Sequence, residues 1–254
     1  MIDLKGKRGL VFGVANEASI AAGCARAFHA AGAGLALTCL NEKARPWVAP
    51  VAEEVGAELL LPCDVRESGQ LEAVFDRITA EWGRLDFLLH AIAFAPKEDL
   101  QTSVVNASAE GFATAMDISC HSFLRMARLA RPLMQAGGAL ITVSFYGADR
   151  VVENYNLMGP VKAALEASVR YTAADLAGEG IRAFSLSTGP VKTRAASGIG
   201  RFDALMDEVR ARTPSGRLVS IEEIGALAAF LASEAAAPMS GSVVYADNGF
   251  HTTA

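Results

Sequence analysis

The chain has 254 residues, of which 52% are hydrophobic and 20% are charged, and its formal net charge is −5. This length suffices for a full core, the composition excludes a disordered chain, and no basic run points to nucleic acid as a partner. The four cysteines and four histidines show no metal-ligand spacing, and no apolar run reaches the length of a membrane span, so we expect a soluble cytoplasmic protein without a metal.

Short apolar runs alternate with helical stretches along the whole chain. Strands are predicted at residues 8–13, 35–40, 58–62, 86–90, 139–143, 181–186 and 242–245. Helices are predicted at residues 20–28, 43–55, 68–82, 107–134, 155–177 and 220–233. This alternation predicts an α/β fold, a doubly wound Rossmann-like parallel sheet of about seven strands with helices on both faces, in a single domain over residues 1–254.

Two of the predicted helices begin with capping signals. Ser19 precedes an alanine-rich stretch and is expected to be its N-cap. Ser220, with Glu223 three residues later, predicts a capping box. Both signals fix where a helix starts relative to the strand before it.

Ligands of such a sheet bind beyond the carboxyl ends of its strands. The turn at residues 13–19 starts with a glycine and leads into a helix N-terminus, an arrangement that suits a pyrophosphate. Only Gly13 remains of the usual three-glycine fingerprint, so dinucleotide binding and an ordinary glycine turn are equally good interpretations. Asp64, after the third strand, either accepts a hydrogen bond from an adenine amino group or caps the next helix.

The residues after the second and sixth strands bear on the choice of cofactor. Leu40 ends the predicted second strand and is neither acidic nor basic, and the cations Lys43 and Arg45 lie further on, which favours NADH and leaves NADPH as the alternative. Residues 188–193 form a Gly-Pro turn with polar groups for a nicotinamide carboxamide. The small residues of 194–202 predict either a mobile lid over a substrate or an ordinary surface loop.

A phenol and an amine, Tyr155 and Lys162, stand seven residues apart after the fifth predicted strand. On a helix they would share one face, about 10 Å apart along the axis. The phenol can hydrogen-bond an oxygen that gains charge, and the ammonium can hold a ribose and lower the phenol's pKa, which suits hydride transfer. The alternative is a tyrosine and a lysine with no chemical role at a helix start. Pro160 belongs in a first helical turn, so Lys162 is expected near the start of the regular helix and Tyr155 in its entry segment.

Several motifs in the sequence carry a family resemblance: Gly13-x5-Ser19-Ile20-Ala21, Cys63-Asp64-Val65, residues 90–96, Tyr155-x6-Lys162 and residues 195–199. By these motifs the chain resembles, nearly from end to end, the NADH-dependent enoyl-acyl-carrier-protein reductases of bacterial fatty-acid synthesis. They are a divergent branch of the short-chain dehydrogenase/reductase superfamily. The six-residue gap is distinctive, because most of that superfamily has three residues between its tyrosine and its lysine.

The resemblance implies that NADH passes hydride to the β-carbon of a trans-2-enoyl thioester on acyl carrier protein, the final step of fatty-acid elongation. It assigns Tyr155 the hydrogen bond to the developing enolate oxygen and Lys162 the nicotinamide ribose. It also implies a homotetramer and a substrate-binding loop at about residues 192–212.

The residues expected to act on or contact ligands fall into three sets. The catalytic set is Tyr155, Lys162 and Tyr146. The cofactor-binding set is Gly13, Ser19, Ile20, Leu40, Asp64, Val65, Ala91, Ile92, Lys162, Gly189, Pro190, Val191 and Thr193. The substrate set is Phe94, Ala95, Phe145, Tyr155, Met158, Ala195, Ile199, Phe202 and Met206.

Several departures from the family pattern leave alternatives open, and two of them, Phe184 and Thr188, replace the usual Asn and Ala of the sixth strand. Phe145 stands where a second tyrosine is usual, so either the following Tyr146 substitutes for it or that role is dispensable. Leu40 replaces a polar residue, Ala93 a glycine near the cofactor, and Arg194 a leucine in the loop. The alternatives are a related enzyme for another enoyl or carbonyl substrate, or a weakly catalytic cofactor-binding scaffold.

Overall fold

The computed structural model describes residues 2–193 and 201–253. Its strands, numbered in chain order, are β1 Arg8–Phe12, β2 Gly34–Cys39, β3 Leu59–Pro62, β4 Phe87–His90, β5 Gly138–Phe145, β6 Ile181–Thr188 and β7 Ser242–Ala246. All pair in parallel, in the order β3-β2-β1-β4-β5-β6-β7. The described chain therefore forms the doubly wound sheet that the sequence predicted, with its topological switch point between β1 and β4.

Helices connect the strands on both faces of this sheet. They are α1 Ile20–Ala30, α2 Arg45–Glu54, α3 Gln70–Trp82, α4 Lys97–Leu100, α5 Ala109–Met116, α6 Ser122–Ala130, α7 Met158–Leu176, α8 Phe202–Arg212, α9 Ile221–Ala232 and α10 Phe250–Thr253. Ser19 caps α1 and accepts from Ala22 N, and Ser220 with Glu223 forms the capping box of α9, as predicted. No helix in the described ranges is long and apolar enough to cross a membrane.

Two predicted segments differ in the structure. The tract predicted at 107–134 is divided into α5, a π-type turn at Asp117–His121, α6 and a short 3-10 turn at Arg131–Leu133. A π turn adds a residue without changing the composition, so the hydrophobic period did not reveal it. The region expected as a substrate loop at about 192–212 ends in a regular helix, α8.

Each face of the sheet has its own apolar core. Successive strand residues point to opposite faces, so Leu10 and Phe12 pack with α3, α6 and α7, whereas Val11 packs with α1, α2 and α9. Strands covered on both sides read as continuous apolar runs, which is why they stood out in the sequence.

Helices α1 and α9 approach each other through two glycines. A Cβ on Gly23 would lie 2.5 Å from the Ile221 carbonyl oxygen, and a Cβ on Gly225 would overlap the Gly23 carbonyl. This contact holds the start of α1, and with it the end of β1, firmly against the sheet.

Candidate active site

The switch point brings the ends of β1 and β4 together. Gly13 follows β1 with φ +96°, a conformation that favours glycine, and a Cβ there would overlap the carbonyl oxygen of Ala91 after β4. Ser19 Oγ donates to Asn16 O at 2.7 Å and so closes the turn that leads to Ile20, the first residue of α1. The open backbone of this turn, with a helix N-terminus behind it, fits the pyrophosphate of a dinucleotide.

The carboxylate of Asp64 lies at the end of β3 but does not cap a helix. Its oxygens accept from the Arg66 guanidinium, with Nε at 3.0 Å and Nη2 at 2.6 Å, and this pair holds the pKa of Asp64 below its usual range. Helix α3 begins only at Gln70, so the helix-cap interpretation is wrong. Arg66 also lies 5.9 Å from the centre of the Phe94 ring, a neighbour that sequence reasoning missed.

The end of β2 presents an exposed apolar side chain, Leu40, with 52% of its surface accessible. Of the two cations beyond it, Arg45 already has protein partners. Its Nε and Nη2 bind the Glu42 carboxylate at 2.6 and 3.0 Å, and its Nη1 donates to Leu60 O at 3.1 Å. An exposed cation held in this way is a poor partner for a 2′-phosphate, which agrees with the expected preference for NADH.

Tyr155 lies in the turn before α7, as expected from Pro160, and is 7% exposed. Asn154 and Asn156 on either side of it have φ values of 62° and 43°, and the Asn156 side chain donates to Leu100 O. Left-handed residues on both sides fix the direction of the Tyr155 side chain. Burial raises the pKa of its phenol, so it is a proton donor at neutral pH.

The ring beside Tyr155 is Phe145, with centroids 4.8 Å apart at 60°. Tyr146 does not take that place, which corrects the expectation that it substitutes for a second tyrosine. Consecutive residues at a strand end point to opposite sides, so Tyr146 packs against Phe250 with centroids 5.2 Å apart. Its hydroxyl is buried without a hydrogen-bond partner among the described residues.

Lys162 lies in the first turns of α7 and is 4% exposed. Its ammonium donates to Val143 O at 2.6 Å, and burial lowers its pKa to about 8. One turn later, Glu166 is also buried and accepts from Ser144 Oγ at 2.6 Å. Sequence reasoning missed Glu166 and Ser144. The signal available was the four-residue spacing from Lys162 on one helix face.

The other predicted residues lie around this edge, and the positions outside the described residues are named with them. Val65 follows Asp64, Ala91 and Ile92 follow β4, and Gly189, Pro190, Val191 and Thr193 follow β6, where Gly189 N donates to Ala246 O at 2.9 Å. Phe94 is half-exposed, and Ser119 Oγ binds both its N–H and its carbonyl oxygen at 2.8 and 2.9 Å. Ala95 packs on the core of the α7 face, Met158 starts α7, and Phe202 and Met206 lie one turn apart on α8. Arg194, Ala195 and Ile199 fall outside the described residues.

Comparison with known proteins gives one consistent family. A family model described as enoyl-(acyl carrier protein) reductase matches residues 13–251. An enoyl-[acyl-carrier-protein] reductase [NADH] 1 of Rhizobium meliloti is 45% identical over 249 residues, which are 98% of this chain and 92% of that protein.

Solved structures agree with this match. The crystal structure of the enoyl-[acyl-carrier-protein] reductase (NADH) of Aquifex aeolicus superposes with a TM-score of 0.95 at 44% identity, covering 98% of this chain and 97% of that one. The enoyl-(acyl-carrier-protein) reductase of Anaplasma phagocytophilum in complex with NAD superposes with a TM-score of 0.94 at 42% identity, covering 98% and 95%. The chain belongs to the enoyl-(acyl carrier protein) reductase family.

Proposed function

We propose that this chain is an NADH-dependent enoyl-acyl-carrier-protein reductase, which reduces the trans-2 double bond of an enoyl thioester in the final step of fatty-acid elongation. The observation that carries the proposal is the pair Tyr155 and Lys162, buried together at the carboxyl edge of the sheet with six residues between them. The names of the relatives, which are enoyl reductases that use NADH, support the same reaction.

Tyr155 is proposed to donate a hydrogen bond to the thioester oxygen, where negative charge develops as the β-carbon receives hydride. NADH supplies that hydride when bound. The raised pKa of the buried phenol keeps its proton in place at neutral pH, and the apolar ring of Phe145 packs directly beside it. A preorganised donor in a dry site stabilises an oxyanion far more than the same donor in water.

Lys162 is proposed to hold the ribose next to the nicotinamide. Among the described residues its ammonium donates a hydrogen bond to Val143 O, so further N–H donors remain for ribose hydroxyls. The turn that starts at Gly13, the residues after β4 and the turn at Gly189 are proposed to hold the rest of the dinucleotide. The ion pair between Glu42 and Arg45 makes Arg45 less available for a 2′-phosphate. It therefore favours NADH, with NADPH as the weaker alternative.

The acyl chain is proposed to lie between the start of α7 and helix α8, against Met158, Phe202 and Met206, with Phe94 at its entrance. Ala195 and Ile199 are proposed contacts from the sequence. The acyl carrier protein is the proposed partner that delivers the substrate.

A homotetramer is also proposed, since α5, α6 and α7 expose the apolar side chains of Phe112, Leu124 and Tyr171. A cytoplasmic location stays a prediction of the sequence.

The test is a turnover assay that crosses NADH and NADPH with short and long trans-2-enoyl thioesters, followed by the loss of reduced-cofactor absorbance. We expect oxidation of NADH with at least one enoyl thioester and slower oxidation of NADPH. Activity on small ketones but on no enoyl thioester would select a related carbonyl reductase, for which Phe145 is the main argument. Binding of NADH without turnover of any substrate would select a cofactor-binding scaffold.

A further inference from the structure

Two side chains of α7, one turn apart, contact neighbouring residues of β5. Lys162 Nζ donates to Val143 O at 2.6 Å, and Glu166 Oε1 accepts from Ser144 Oγ at 2.6 Å. Lys162 is 4% exposed and Glu166 is 8% exposed. A buried ammonium and a buried carboxylate thus lie on one helix face, and each of them makes a hydrogen bond with the same strand.

The two charges do not form a direct ion pair in the structure, because each turns to its own partner on β5. Residues four apart on a helix have Cβ atoms about 6 Å apart, so the charges interact strongly across an interior with little water. Burial pushes the pKa of Lys162 down to about 8, and the negative charge of Glu166 opposes this. Burial raises the pKa of Glu166 above its usual value, and the Ser144 hydrogen bond and the cations Arg170 and Lys162 oppose that rise by favouring the ionised form.

Other titratable groups face this pair from several elements. Asp149, after β5, disfavours a charge on Glu166. Tyr155, before α7, and Tyr245, on β7, are phenols whose pKa is raised first by burial and then by the Glu166 charge. Cys120, in the π-type turn, faces Lys162, and buried His90 has its pKa lowered to about 3 and is neutral. Of the carboxylates near this pair, Glu166 is therefore the one whose charge raises the pKa of Lys162.

We propose that Glu166 supplies the buried negative charge that holds Lys162 in its protonated form, and that it thereby acts as a positioning residue for the cofactor ribose. The inference rests on the proposed function, in which the Lys162 ammonium binds that ribose. A neutral lysine would keep its place beside Val143 but would lose the charge and one N–H donor.

The sign of the pH effect follows from the charge. Lys162 acts as a cation below its pKa and loses that role as the pH rises through it. Without the negative charge of Glu166, the pKa of Lys162 falls further, so binding of NADH weakens at a lower pH than in the wild type.

The test is the variant Glu166→Gln, which keeps the size of the side chain and an acceptor for Ser144. NADH affinity is measured by calorimetry across a pH series from about 6 to about 9.5, with kcat and KM for NADH at the same pH values. We expect the alkaline midpoint of NADH binding to move down by about one pH unit, and KM for NADH to change more than kcat. An unmoved midpoint would overturn the proposal.

Three further variants separate charge from packing. Glu166→Asp retains the negative charge and is expected to keep the midpoint closer to that of the wild type. Asp99→Asn neutralises another buried carboxylate, which accepts a hydrogen bond from Ser108 N, and is expected to lower the melting temperature without moving the midpoint.

Ser144→Ala removes the hydrogen bond that favours ionised Glu166. It is expected to move the midpoint in the same direction as Glu166→Gln, but by less. If Glu166→Gln fails to fold, an unmoved midpoint in Ser144→Ala overturns the proposal instead.

Because NADH binding is the readout, this test does not depend on the substrate. A wild type that binds NADH but reduces no enoyl thioester would contradict the proposed function, and the shift of the midpoint would still decide the role of Glu166.

Discussion

At the end of the sheet formed by β2 and β3, charged side chains pair with each other: half-buried Arg45 with exposed Glu42, and exposed Arg66 with buried Asp64. At the end of β5, Lys162 and Glu166 are buried and bind the strand rather than each other. Exposed pairs are screened by water and contribute little, whereas buried charges lack that screening. We therefore expect substitutions in the region proposed for adenosine to have smaller effects than substitutions in the region proposed for nicotinamide.

The largest expected effect comes from Tyr155→Phe, in the buried region. Loss of the proposed donor should lower kcat about 100-fold or more, while the affinity for NADH changes little, because the phenol acts on the thioester oxygen. Steady-state kinetics and calorimetry measure the two quantities. Tyr171→Phe is the matched control, since Tyr171 is a 75% exposed tyrosine on the same helix. Equal losses in both variants would show that the effect is not a property of the buried site.

A pH series compares the two regions within the unmodified protein. Lys162, with its pKa lowered to about 8, should lose its charge between about pH 7 and about pH 9, and NADH affinity should fall by up to tenfold over that range. ADP, which lacks the nicotinamide half, should bind with an affinity that changes much less. Parallel calorimetric titrations measure both. A matching fall for ADP would place the titrating group at the adenosine end.

A smaller effect is expected from Glu42→Gln at the end of β2. The variant releases Arg45 from its carboxylate and so presents a cation that favours a 2′-phosphate. We expect kcat/KM for NADPH to rise by about three- to tenfold, with kcat/KM for NADH nearly unchanged. The control is Glu54→Gln, which releases Arg26 from a similar pair on α1 and α2. A rise for both cofactors, or the same rise in the control, would argue against a local effect.

The smallest effect is expected from Arg66→Ala. The Arg66 side chain is exposed and its pair with Asp64 is screened by water, so the stability of the fold should fall by no more than about 1 kcal/mol. The loss should shrink further at high salt. Thermal unfolding at two salt concentrations measures this. A loss of several kcal/mol would contradict the expectation that the pair at β3 contributes little.

How far the sequence could predict the molecule depends on how local each signal is. The strands, the Ser19 cap and the capping box at Ser220 were predicted correctly because each depends on a few neighbouring residues. The place of Tyr155 before α7 followed from Pro160 alone. These features require no knowledge of what packs against them.

The features that sequence reasoning missed or misplaced depend on packing between distant segments. Whether Phe145 or Tyr146 faces Tyr155 is decided by the direction of each side chain where β5 ends. The contact of Glu166 with Ser144 joins residues 22 apart in the chain. Arg66, after β3, lies 5.9 Å from the centre of the Phe94 ring, which follows β4. The four-residue spacing of Lys162 and Glu166 indicates a shared helix face, but no local pattern shows which strand that face contacts.

The most direct test of the proposed function follows the hydride itself. The protein is incubated with NADH that carries deuterium at the transferable position of its nicotinamide ring and with a trans-2-enoyl thioester, and the product is analysed by NMR. We expect a saturated thioester with deuterium at the β-carbon, and about 100-fold less of it with Tyr155→Phe. Recovery of the enoyl thioester unchanged, or deuterium at a carbonyl carbon, would contradict the account.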